Sequence, residues 1–132
     1  MHDILIQVIN KRTLSLDGHI LIVEDSNSIA NQTAELFAQY GCNSEHAIDC
    51  HTMKGLVDNG SFNLIITDYY LKGRETGDDV IEYVRSHPNQ EKSSIPILVV
   101  SSESNHDKRI SFLRKGANDF IIKPYDTNEL LV

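Results

Sequence analysis

Residues 64–70 read LIITDYY: a short run suited to a buried strand, broken at once by a carboxylate, Asp68. Three further runs share this form. ILIVED at 20–25 ends in Glu24 and Asp25, ILVVS at 97–101 ends in Ser101, and FIIKP at 120–124 ends in Lys123 and Pro124. The segments between them each have room for a helix and its turns. Apolar runs spaced by helix-length segments predict a parallel sheet with crossover helices. All strands of such a sheet point their C-terminal ends at one edge, where ligands bind. The polar groups that end these runs are therefore expected in one pocket.

The connecting segments support this α/β reading. Asn27 to Tyr40 places Ile29, Leu36, Phe37 and Tyr40 on one helical face, and Gly41 supplies a stop. Residues 43–47 read as a weak, polar edge strand. Asp49 is placed to cap a short helix carrying Met53, Leu56 and Val57 that ends at Asn59-Gly60. Gly77 opens a helix with Val80, Ile81 and Val84, which stops by His87-Pro88 because a residue before proline avoids helical angles. Ser104 with Asp107 resembles a capping box at the head of a helix running to Gly116. After the last strand, Thr127 caps about one turn, NELLV.

Composition narrows the function classes. The 132 residues fit one domain large enough for a real core. A net charge of −7 argues against gripping nucleic acid or an anionic membrane surface. No apolar stretch approaches the roughly 20 residues that span a bilayer, and residues 1–12 lack the order of a signal peptide. Cys42 and Cys50 have no CxxC spacing and read as reduced thiols of a cytoplasmic protein. The six histidines form no HxxxH or HExxH pair.

Glu24, Asp25 and Asp68, brought together, would repel one another, and a hard divalent cation relieves that repulsion. A carboxylate can also act as a nucleophile toward phosphorus. In-line phosphoryl transfer needs charge neutralised on the equatorial oxygens. Mg²⁺, the Lys123 ammonium and the Ser101 hydroxyl could each cover one. Taken singly, each residue reads as a turn, loop or surface group. Only the ordered set at successive strand ends carries the chemistry.

That set resembles the receiver domain of two-component response regulators over about residues 19–131. Glu24-Asp25 matches the family's metal-binding pair, Asp68 its phosphoacceptor, Ser101 its hydroxyl, Lys123-Pro124 its Lys-Pro, and Phe120 its aromatic switch position. The resemblance implies a flavodoxin-like five-stranded sheet in the order 2-1-3-4-5 with five helices, of which the last is truncated here. It implies Mg²⁺ held by Asp25, Asp68 and the backbone carbonyl of Tyr70, with Glu24 acting through water. On phosphorylation Ser101 would move toward the phosphoryl group and Phe120 would rotate inward into the space behind it, and the Lys123–Pro124 bond would be cis. The implied function is Mg²⁺-dependent phosphorylation of Asp68 in a phosphorelay, switching an output module outside this chain. The phosphoryl group would come from a sensor histidine kinase or a His-phosphotransfer protein. Such a domain is not an enzyme toward other substrates; it catalyses only its own phosphoryl transfer and slow autodephosphorylation.

Departures from the common pattern shape the finer expectations. The proline usual four residues after the phosphoacceptor is Lys72, and the following glycine, Gly77, falls one residue late. DYYLKGRETG resembles the loop frequent in hybrid kinases and multi-domain regulators, so a fused effector is expected. Residues 1–18 read as a helix and linker from a preceding domain, and HDILIQVINKRT resembles the last helix of another receiver; 19–132 form the receiver itself. That first segment is expected to fill the place of the short last helix, in the same molecule or by exchange into a dimer. Three alternatives compete. A flavin-binding flavodoxin would need a Ser/Thr/Gly-rich phosphate loop where this chain has EDSNS. A haloacid-dehalogenase-type phosphatase would need a DxD after Val23. A degenerate receiver would serve only as a protein-interaction module.

Overall fold

The computed structural model describes residues 18–101 and 106–122. Five parallel strands alternate with helices: β1 (His19–Val23), α1 (Asn27–Ala38), β2 (Asn43–Ala47), α2 (Cys50–Asn59), β3 (Leu64–Asp68), α3 (Gly77–Arg85), α4 (Gln90–Ser93), β4 (Ile97–Ser101), α5 (His106–Lys115) and β5 (Asp119–Ile122). The sheet order is β2-β1-β3-β4-β5, as the resemblance implies. The central strands are mostly apolar because helices cover both sheet faces, and their polar residues sit towards the strand ends. β2, with the polar sequence NSEHA, takes one edge.

Side-chain alternation divides the core in two. Leu21, Val23, Ile65, Ile97, Val99 and Phe120 face one side, against Met53 and Val57 of α2, Val80, Ile81 and Val84 of α3, and Phe112 of α5. Ile20, Ile22, Leu64, Ile66, Leu98, Val100 and Ile121 face the other, against Ala30, Leu36 and Phe37 of α1.

Local signals place the helix starts. The Ser26 hydroxyl accepts from the Ile29 amide at 3.3 Å and caps α1. Asp49 accepts from the Thr52 amide at 2.8 Å and caps α2. Thr76 and Asp79 form a reciprocal capping box at the head of α3. α1 ends at Ala38, two residues before the expected Tyr40, and Gly41 follows with φ 80°. The four-residue α4 was not expected; Asn89 caps it by accepting from the Lys92 amide at 3.2 Å.

Two long cations tie loops to this frame. Arg85 at the end of α3 donates to the carbonyls of Gly116, Ser93 and Ile95 and to the Asn118 side chain, at 2.7 to 2.9 Å. The Lys92 ammonium donates to the carbonyls of Val57, Asp58 and Gly60, satisfying the open end of α2. The expected N-terminal helix, the Ser104 cap, the cis bond at Lys123–Pro124 and the final turn at Thr127 lie outside the described residues.

Candidate phosphoacceptor site

β1 and β3 are neighbours, with Val23 opposite Thr67. The residues that follow therefore emerge side by side at the C-terminal edge. Glu24, Asp25 and Asp68 each bring a carboxylate oxygen within 4.8 Å of the other two. Their settings differ: Glu24 is buried at 4% exposure, Asp68 is half-buried and Asp25 is exposed. Glu24 is held in place by its surroundings. Its amide donates to Ala47 at 3.0 Å, its carboxylate accepts from the Ser26 amide at 3.2 Å, and its carbonyl accepts from His46 Nε2 at 2.6 Å. An apolar floor of Ile22, Ile29, Ile66 and Val100 lies beneath the carboxylates.

β4 sets the third wall. Asp68 pairs in register with Val100, so Ser101 comes next at the same edge, and it is fully buried. On β5, Phe120 is buried as well, its ring 5.3 Å from that of Phe112. Lys123 lies outside the described residues.

The segment after Asp68 folds back as a small hairpin. Tyr70 bridges Thr76 in antiparallel sense, and the Leu71 amide donates to the Glu75 carbonyl at 3.2 Å. Gly73, with φ 73°, makes the tip, a conformation that favours glycine. Tyr70 is 48% exposed, its ring edge-on to Tyr69 at 4.8 Å. The Glu75 carboxylate accepts from the Cys50 amide at 3.1 Å and fastens the hairpin to α2. Burial first, then the nearby Glu75 and Asp79 charges, push the Cys50 thiol up to about 12, so it stays protonated and inert.

Tyr69 is a residue the sequence reading passed over. It is buried, and its hydroxyl donates to Asp78 at 3.1 Å. Burial, then that bond, raise its pKa. Its partner is nine residues away in sequence and the Lys115 that joins them is further still, so no local pattern announces the group.

Three carboxylates, hard oxygen donors with one of them buried, fit a hard divalent cation better than a softer metal that prefers nitrogen or sulfur. The same edge offers a hydroxyl and a half-buried nucleophilic carboxylate, the parts phosphoryl transfer requires.

Known proteins fit this geometry. The model of the response regulator receiver domain matches residues 20–132. The chain is 29% identical over 112 residues to the chemotaxis protein CheY of Pseudomonas aeruginosa, covering 84% of this chain and 88% of that one. It is 29% identical over 112 residues to the sensory transduction protein RegX3 of Mycobacterium bovis, covering 85% of this chain and 47% of the relative. The chain thus spans about half the length of its mycobacterial relative. The solved chemotaxis response regulator CheY4 of Vibrio cholerae superposes with a TM-score of 0.78 at 25% identity, over 87% of this chain and 93% of that one. With the matching residues running from β1 through the whole carboxylate edge, the chain belongs to the response regulator receiver domain family.

Proposed function

We propose that Asp68 is the phosphoacceptor of this receiver domain. The observation that carries the reading is the convergence of Asp68 with Glu24 and Asp25 at the C-terminal edge of the sheet. Asp25, Asp68 and the backbone carbonyl of Tyr70 would hold Mg²⁺ directly, with Glu24 acting through water; when bound, the ion supplies positive charge to the phosphoryl oxygens. The Asp68 carboxylate attacks the phosphorus of a phosphohistidine, on a sensor kinase or a phosphotransfer protein. An O–P bond forms at Asp68 as the donor's N–P bond breaks, and the imidazole leaves. The Ser101 hydroxyl donates to one equatorial oxygen and the Lys123 ammonium to another. Water later attacks the phosphorus of the acyl phosphate; the Asp68 O–P bond breaks, inorganic phosphate leaves, and the carboxylate is restored.

Phosphorylation adds about two negative charges and three acceptor oxygens to one side chain. Ser101, buried at the end of β4, moves to donate to one of these oxygens. Phe120 is already inside, so its part in the response is repacking against Phe112. The domain switches by population shift between two packings. The reader is an effector outside this chain, and the charge of −7 suits a protein partner over nucleic acid. No helix among the described residues is long and apolar enough to cross a membrane, and the place of action proposed is the cytoplasm.

Beryllofluoride, a mimic of the aspartyl phosphate, tests this reading. With Mg²⁺ it should shift the amides of Asp68 and Ser101 in the wild type and leave them unmoved in Asp68→Asn. Equal responses in the two proteins would overturn the assignment.

A further inference from the structure

Helix α5 is lightly seated. Among its described side chains Phe112 alone is buried; Lys108, Arg109, Leu113, Arg114 and Lys115 are exposed. Phe112 rests on two aromatic rings, Phe120 at 5.3 Å and Tyr69 at 4.7 Å. Tyr69 is the residue bonded directly to Asp68. α5 grips it at three levels. The Lys108 ammonium lies 5.6 Å from the ring centroid, Phe112 packs on the ring, and Lys115 reaches the hydroxyl end through Asp78. There one oxygen, Asp78 Oδ2, accepts from both the Tyr69 hydroxyl at 3.1 Å and Lys115 Nζ at 2.8 Å. The other oxygen, Oδ1, is buried with no partner among the described residues. A carboxylate with one oxygen orphaned depends on the two donors it has, because losing either leaves more charge uncompensated.

The backbone of Tyr69 is fixed at both ends as well. Its amide donates to the Val100 carbonyl at 2.8 Å, and its carbonyl accepts from the Gly77 amide at 2.6 Å. A displacement of Asp68 therefore cannot be absorbed by a slack loop.

We propose that Tyr69 is a positioning residue that couples Asp68 to helix α5, through the Tyr69–Phe112 ring contact and the Tyr69–Asp78–Lys115 tie, beside the route through Ser101 and Phe120. The proposal rests on the receiver reading above. It makes α5 the element whose position reports the state of the acceptor.

The test separates the two claims. Backbone amide spectra of the full chain are recorded with Mg²⁺, with and without beryllofluoride. Amides of Thr67, Asp68 and Ser101 report occupancy of the site, and those of 107–115 report the helix. Wild-type protein should respond in both sets. Tyr69→Phe keeps the ring and removes the hydroxyl. Its site amides should respond as in the wild type while the α5 shifts shrink to about half or less. Lys115→Met, a change at an exposed position, should weaken the α5 response in the same direction if Tyr69→Phe does not fold. Site amides that respond together with α5 shifts of wild-type size in these variants would overturn the coupling alone. A wild type whose site amides do not respond would overturn the receiver reading and this proposal with it.

Discussion

The amide of Gly77 donates to the carbonyl of Tyr69 at 2.6 Å, closing the loop that follows Asp68 into a hairpin. The backbone is so close here that a side chain has little room at residue 77. A Cβ at residue 77 would sit 3.2 Å from the Asp68 carbonyl oxygen and 3.3 Å from Tyr69 Cα, both backbone atoms with little room to give. Gly77→Ala should therefore push on Asp68 itself. The expected outcome is a loss of about 1 kcal/mol in a urea melt together with weaker Mg²⁺ binding. Unchanged stability and metal affinity would show that the approach has slack.

Arg85 is predicted to be irreplaceable by lysine. Its fork serves three carbonyls and the Asn118 side chain at once, and burial lowers its pKa without removing its charge. Arg85→Lys should cost about 1–2 kcal/mol, and Arg85→Ala about 2–3 kcal/mol, because buried carbonyls lose their donors. Denaturant unfolding of the two variants checks both values and their order.

Metal binding should appear as stability. Mg²⁺ at about a hundredfold excess over its Kd adds about 2.7 kcal/mol to the folded state. Chelation should remove that increment. Asp25→Asn should abolish most of it and, with the ion absent, should be more stable than the wild type, since one like charge is gone. Thermal melts with and without Mg²⁺ distinguish these outcomes. Destabilisation of Asp25→Asn in the chelated state would contradict the repulsion on which the site is built.

Tyr70 follows Asp68 by two residues, with almost half its surface exposed and its ring braced edge-on by Tyr69. A braced ring at that position is expected to restrict the approach of water to an acyl phosphate. Tyr70→Asn should speed dephosphorylation, measured as the decay of the phosphorylated form after donor is removed. An equal or slower rate would assign the tyrosine no part in the lifetime.

The strands were legible because a buried parallel strand leaves a nearly continuous apolar run, and four such runs ended in telling polar groups; the order of the sheet came only from the resemblance to receiver domains. The caps at Asp49 and the stop near His87-Pro88 were legible for local reasons, since a side chain and its backbone partner lie within one turn. Glu24, Asp25, Asp68 and Ser101 could be named from their places at strand ends, which the fold then brings to one edge. What escaped were contacts between residues remote in sequence. Arg85 reads as an ordinary end-of-helix cation until Gly116 and Ile95 are beside it. Lys92 reads as a surface charge until the open end of α2 is above it. Tyr69 reads as one of two loop tyrosines until Phe112 and Asp78 close around it. Nothing in the local sequence distinguishes it from Tyr70, yet one is buried and the other exposed.

The central claim is that Asp68 carries the phosphoryl group. Intact-mass measurement after incubation with acetyl phosphate and Mg²⁺ tests it most directly. The wild type should gain the mass of one phosphoryl group, and should fail to gain it when the metal is chelated, while Asp68→Asn should gain none. Labelling of Asp68→Asn to the wild-type extent would contradict the account.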